Sequence, residues 1–243
     1  MLGTNHTPWY PPYENTSTTA IVKQTANFHA DLTPYIKSYA YVASKTGLPI
    51  IRALFLEAAS DEKVWEVADA YFFGDYFYVA PVVATGGTRS VYFPQGASKK
   101  YLEYFSKQQV YAAGTTHNIS VPLTSTPLFV KQGAIIVRGD VYQGNAKWIP
   151  GWKPSLTIEL YPSYDVPESR FVFWDGEGDE GKEVVLVMKA DPEKQTVSID
   201  LANFDFPGAN VVWYLQGAEE GTRMSAASEG GEVLKVKGAK TLF

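Results

Sequence analysis

The hydrophobic periodicity of this chain changes character at Gly74, and that change constrains the fold more than any other feature. Upstream, Ile21, Thr25, Phe28, Leu32, Tyr35, Tyr39 and Val42 recur at alternating intervals of four and three. They mark one face of a helix, with Lys23, Gln24, Asp31 and Lys37 elsewhere around the turn. Ser17 or Thr18 is the expected cap and Gly47 the stop, so the helix runs to about Lys45. Pro34 removes a backbone donor inside it and crowds the preceding turn, which predicts a kink near Thr33. Residues 1–16, rich in Pro, Asn, Thr and Tyr, show no period and read as loop.

Between Gly47 and Val83 the chain reads GLPIIRALFLEAASDEKVWEVADAYFFGDYFYVAPVV. Leu48 to Leu56 is almost unbroken apolar sequence with one charge, Arg52, as expected of a strand buried on both faces. An acidic turn at Asp61 and Glu62 follows. The spacing of Val64, Trp65, Val67, Ala68, Tyr71 and Phe72 then predicts a short helix stopped by Gly74.

Beyond Gly74 come short β-rich runs separated by turn residues: Tyr76 to Ala84, Ser90 to Pro94, Lys100 to Phe105, Asn118 to Leu123 and Leu128 to Val137. Such spacing predicts an antiparallel sandwich. Residues 139–154, punctuated by Gly and Pro, read as a link. A second set of strands then spans Leu156 to Tyr161, Arg170 to Trp174, Glu183 to Met188, Thr196 to Ile199, Asn210 to Tyr214 and Val233 to Val236.

The order of buried strand, acidic turn, short helix, Gly-Asp and VAPV resembles the end of the catalytic barrel in glycoside hydrolase family 31, whose members include α-glucosidases and α-xylosidases. LTPYI at Leu32, VYFP at Val91, YLEYF at Tyr101, VPL at Val121 and TPLFVKQGAIIV at Thr126 match the family's later blocks in kind and order. The resemblance implies an α+β, mainly β chain: the last elements of a (β/α)8 barrel followed by two antiparallel β-sandwich domains. The expected divisions are 1–74 for the barrel end, 75–138 for a proximal sandwich, 139–154 for the link and 155–243 for a distal sandwich.

The resemblance also locates the chemistry. Retaining glycosidases need two carboxyl groups roughly 5 Å apart. In this family both are aspartates on earlier barrel strands, which would precede Met1, so no catalytic residue is expected in this chain. Glu57 and Asp61 follow the proposed last strand, but their ordinary reading is a solvated loop in which Asp61 caps the next helix. His6 stands near the place where the family has a sugar-binding histidine, and it is the one candidate substrate ligand. It also lies in Asn5-His6-Thr7, which with Asn15-Thr16-Ser17 and Asn118-Ile119-Ser120 fits the glycosylation acceptor pattern of a secreted protein.

Other candidates favour plainer readings. His29 and His117 lack a second His or Cys at ligand spacing, so both are expected to be structural. Asp175, Glu177 and Asp179 alternate with glycines as in a calcium loop but lack the full pattern, and read as a turn. Trp9, Tyr10, Trp148 and Trp152 are expected to anchor loops, with sugar contact the alternative. Gly86-Gly87-Thr88 is too short for a phosphate loop. No cofactor or metal is expected.

A net charge of -5 gives no basic footprint for nucleic acid or an anionic membrane. No apolar run approaches the roughly 20 residues of a membrane span. The chain has no cysteine, which removes disulfides and thiolate chemistry. The expected partner is an α-linked oligosaccharide or glycoside in the full-length enzyme, with association to the missing barrel portion or to itself. The alternative reading is a non-catalytic carbohydrate-binding or interaction module that assembles with a separate barrel chain.

Overall fold

The computed structural model describes residues 9, 15–122, 124–139, 151, 154–177, 180–201, 203, 204, 206, 209–216, 222–225 and 233–243. Two helices come first, α1 (Thr16–Asp31) and α2 (Thr33–Thr46). The cap is Asn15 rather than Ser17 or Thr18: its Oδ1 accepts the Thr18 N–H at 2.8 Å. The expected kink is a full break. Leu32 closes one helix and opens the next, which places Pro34 in the first turn of α2, where a missing N–H leaves no helical bond unmade. Gly47 ends α2 in the left-handed conformation, φ 76°, and its N–H bonds the Ala43 carbonyl.

The strands that follow are β1 (Ile51–Ala53), β2 (Tyr71–Phe73), β3 (Phe77–Val79), β4 (Thr88–Tyr92), β5 (Lys100–Glu103), β6 (Val110–Ala112), β7 (Thr116–Ser120) and β8 (Leu128–Lys131). They continue as β9 (Ala134–Arg138), β10 (Thr157–Tyr161), β11 (Glu168–Glu177), β12 (Glu180–Asp191), β13 (Thr196–Asp200), β14 (Asn210–Trp213), β15 (Thr222–Ser225) and β16 (Val233–Lys237). The first sheet has the order β1-β2-β3-β8-β5-β6, and β4 and β7 form a separate ribbon. Two four-stranded sheets, β15-β14-β10-β9 and β11-β12-β13-β16, complete the described fold. Among the described residues all strand pairings are antiparallel except β10 with β14. The protein is thus mainly β, as expected.

Alternation explains why the central runs look uniformly apolar. In β3, Phe77 and Val79 join the larger core, while Tyr78 between them joins a second core with Phe72, Tyr101, Phe129 and the ribbon residues Val91 and Phe93. The first sheet is therefore buried on both faces at its centre. The larger core also takes Tyr35 and Tyr39 from α2 and the inner residues of both four-stranded sheets. Because β9 leaves β8 at the Gly133 turn to pair with β10, its ladder crosses the expected division at 138.

Two expectations before Gly74 fail. The strand predicted over Leu48 to Leu56 shrinks to β1, where Ile51 is 60% exposed and Arg52 is 1% exposed, and Leu54–Leu56 coil into a 3-10 turn. Among the described residues β1 pairs only with β2, so it is an edge strand rather than a doubly buried one. The helix predicted from Val64 to Phe72 is a 3-10 turn over Glu62–Glu66, and Tyr71 to Phe73 form β2. Gly74 makes the β2–β3 turn at φ 60° instead of stopping a helix.

Candidate functional site

Arg52 is the charge that the apolar run of β1 carries inward. Its Nη1 donates to Glu57 Oε1 and to Asp75 Oδ1, the latter at 2.5 Å, and its guanidinium lies 5.6 Å from the Tyr39 ring. Lys131, at the end of β8, donates to the other oxygen, Glu57 Oε2, at 3.2 Å. Side-chain exposure is 17% for Glu57 and 9% for Lys131, so these charges face one another with little water between them. Burial raises the pKa of Glu57, but Lys131 and Arg52 outweigh it and hold the carboxyl below its ordinary range. Burial lowers Lys131, partly offset by Glu57.

Asp61 is engaged as completely. One oxygen accepts the Lys63 N–H at 3.2 Å, which is the helix-turn cap expected from the sequence. The other accepts the Tyr92 hydroxyl at 2.6 Å and the Gln95 N–H at 2.7 Å. Burial raises its pKa, yet these hydrogen bonds leave it below the ordinary value, while burial and Asp61 push Tyr92 up to about 12. The expected solvated loop is therefore corrected: Asp61 is buried, Glu57 is partly buried, and both are fully bonded. Neither resembles a glycosidase acid, which must stay protonated near neutral pH. What they accomplish is mechanical, tying the segment after β1 to β4 and β8.

Beside this ionic cluster four large apolar side chains are exposed. Ile51, Phe55, Leu56 and Trp65 are 60, 37, 46 and 60% exposed. The Phe55 and Trp65 rings stack at 4.9 Å and 7°. An unpaired strand edge beside them completes a surface that favours association.

Of the remaining sequence candidates, His6, Tyr10, Trp148, Trp152 and Asp179 lie outside the described residues. Trp9 is 58% exposed. His29 ends α1 on the exposed side, and His117 Nε2 lies 3.0 Å from Thr115 Oγ1 with its ring against Tyr111. Asp175 pairs with Lys182 across the β11–β12 ladder. Among the described residues no three His, Asp or Glu are gathered as a metal site.

A second charged cluster escaped the sequence reading. Glu159, 1% exposed in β10, accepts Arg138 Nε at 2.8 Å, the Tyr161 hydroxyl at 2.8 Å and the Tyr214 hydroxyl at 3.2 Å. Arg138 also bonds Asp31 of α1 at 2.5 Å. Beside them Lys107 Nζ donates to the Tyr104 carbonyl and lies 3.8 Å from the Tyr104 ring centroid and 4.8 Å from that of Tyr214. Burial lowers Lys107 to a pKa of about 8. A single acid inside the apolar run LTIELY was the available signal, because such a charge requires partners.

Residues 47–136 match the family model described as "Glycosyl hydrolase family 31 C-terminal domain". The chain carries the C-terminal domain of glycoside hydrolase family 31. It is 33% identical over 159 residues to alpha-glucosidase 2 of Bacillus thermoamyloliquefaciens, covering 65% of this chain and 19% of that protein. It is 26% identical over 200 residues to the alpha-xylosidase of Saccharolobus solfataricus, covering 79% of this chain and 25% of the relative. The GH31 dextranase of Flavobacterium johnsoniae, solved in complex with glucose, superposes with a TM-score of 0.72 at 26% identity over 87% of this chain and 26% of the dextranase. The chain thus spans about a quarter or less of the length of these family 31 relatives.

Proposed function

We propose that this chain is the C-terminal part of a retaining α-glycosidase and does not hydrolyse glycosides by itself. The observation that carries this reading is the state of Glu57 and Asp61. Every oxygen of these two carboxylates, Asp61 buried and Glu57 partly buried, is bonded to a cation, a hydroxyl or a backbone N–H. Acid and nucleophile then have to come from elsewhere in a complete barrel. In this reading 1–74 contributes the end of that barrel, 75–138 and 155–243 form sandwiches joined through 139–154, and His6 is the candidate sugar ligand on family resemblance alone.

The exposed Ile51, Phe55, Leu56 and Trp65 support a companion role, in which this surface receives the remaining barrel elements, within one polypeptide or from a separate chain. The names of the relatives support an α-linked glucoside or xyloside as the substrate class of the assembled enzyme. Incubating the purified chain with aryl α-glucoside and aryl α-xyloside tests the proposal. No turnover is expected from the chain alone, and hydrolysis that disappears in Glu57→Gln would overturn it.

A further inference from the structure

A cleft of about 910 Å³ opens between the β5–β6 turn, the end of α1 and the β9-β10-β14 part of the second sheet. This lies within the ~300–1,000 Å³ of ordinary ligand pockets. We propose that the cleft binds a neutral oligosaccharide, at a site that shares no residue with the Arg52–Glu57 cluster.

Charge on its walls argues first against an ionic ligand. Arg138 is bonded to both Glu159 and Asp31 at 2.8 and 2.5 Å, and Glu159 is further saturated by two tyrosine hydroxyls. Lys107 is enclosed by the rings of Tyr104, Tyr161 and Tyr214 at 3.8, 5.5 and 4.8 Å and donates to the Tyr104 carbonyl. Arg138 is thereby paired with both carboxylates and Lys107 is held by a carbonyl and three ring faces, so the two cations and two anions leave the cleft without net charge to attract an ion.

What remains for a ligand is neutral. Phe105 is 50% exposed at the mouth, tilted against Phe28 at 5.5 Å, and it presents a flat apolar face. Gln108 is exposed and Thr157 half-buried on the lining, and neither side chain has a hydrogen-bond partner among the described residues. A ring surface beside unpaired amide and hydroxyl groups suits a molecule with apolar C–H faces and equatorial hydroxyls, as a pyranose has. A purely apolar ligand would strand Gln108 and Thr157.

Calorimetric titration of the whole chain with maltotriose and with isomaltotriose tests the site, with inorganic phosphate as the anionic probe. Saturable binding of at least one trisaccharide is expected, undiminished by phosphate and weakened about tenfold by Phe105→Ala. Gln108→Ala should weaken it as well, whereas Trp65→Ala, on the β1 surface, should not. Absence of saturable binding by both sugars, affinity unchanged in Phe105→Ala, loss in Trp65→Ala or displacement by phosphate would each overturn the proposal. Because these are binding measurements away from β1, their failure leaves the barrel reading intact, and hydrolysis by the isolated chain would leave the cleft intact.

Discussion

The hydroxyl of Tyr35 lies 2.5 Å from where a Cβ at Gly74 would stand. That hydroxyl donates to the Phe73 carbonyl at 2.8 Å and accepts the Tyr76 N–H at 3.3 Å, so helix α2 clamps the β2–β3 turn on both sides of the glycine. Tyr39 crowds the same point, and Gly74 has φ 60°. Gly74→Ala then meets a left-handed backbone penalty of about 1–2 kcal/mol together with an overpacking cost of about 1–3 kcal/mol. A loss of roughly 2–5 kcal/mol in urea unfolding is expected. A variant as stable as the parent would show that α2 does not hold this turn.

Glu57 stands between two buried cations. Glu57→Gln leaves Arg52 with Asp75 alone and Lys131 with no carboxylate among the bonds described, so a loss of about 3–5 kcal/mol is expected. The pH dependence has a definite sign. Since the folded pKa is below that of the unfolded chain, this group's contribution is fully present above the unfolded value and is lost as pH falls through the lower, folded one. Denaturant unfolding of parent and variant across the acid range checks it: the parent should lose more stability on acidification than Glu57→Gln.

How much of this was legible follows from how local each cause is. Pro34 and Gly47 act through their own backbone: Gly47 was legible as the helix stop, whereas Pro34, read as a kink inside one helix, opens a second helix instead. Most later strands were found because alternation is a local signal. Tyr71 to Phe73 misled because Val64, Val67, Tyr71 and Phe72 fit a helical period within a window too short to separate helix from strand. Glu159 was missed for a different reason: Arg138 and Tyr214 lie 21 and 55 residues away, and nothing local pairs them. Arg52 and Glu159 share a signature, a lone charge inside an apolar run, and each proved to be the centre of a buried network.

Lys107 gives the opposite pH behaviour. Its folded pKa is lowered to about 8 by burial, against the opposing pull of Glu159 and Glu103 and alongside Arg138. Between that value and the ordinary one the unfolded chain holds a proton that the folded chain has released, so stability rises with pH. From about pH 8 to about pH 9.5 the gain from this group is at most about 2 kcal/mol. Above that range the gain is opposed, because burial raises the pKa of Tyr104 and Tyr161 and the unfolded tyrosines ionise first. Lys107→Met should flatten the rise, and an unchanged alkaline profile would exclude Lys107 as its source.

The β1 edge makes a prediction about association. Ile51 and Trp65 are each 60% exposed, Phe55 stacks on Trp65, and β1 has no partner on its outer side among the described residues. Removing these apolar groups costs the folded chain little, because they bury little within it. A charge at the edge instead opposes pairing with any incoming strand. Ile51→Lys combined with Trp65→Ser should therefore leave the melting temperature within a few degrees of the parent, since exposed substitutions usually fall within about ±0.5 kcal/mol. Sedimentation should at the same time show a lower average mass for the variant at high protein concentration. If parent and variant sediment alike as monomers, this surface does not drive self-association, and its exposed rings are left to the barrel contact proposed above.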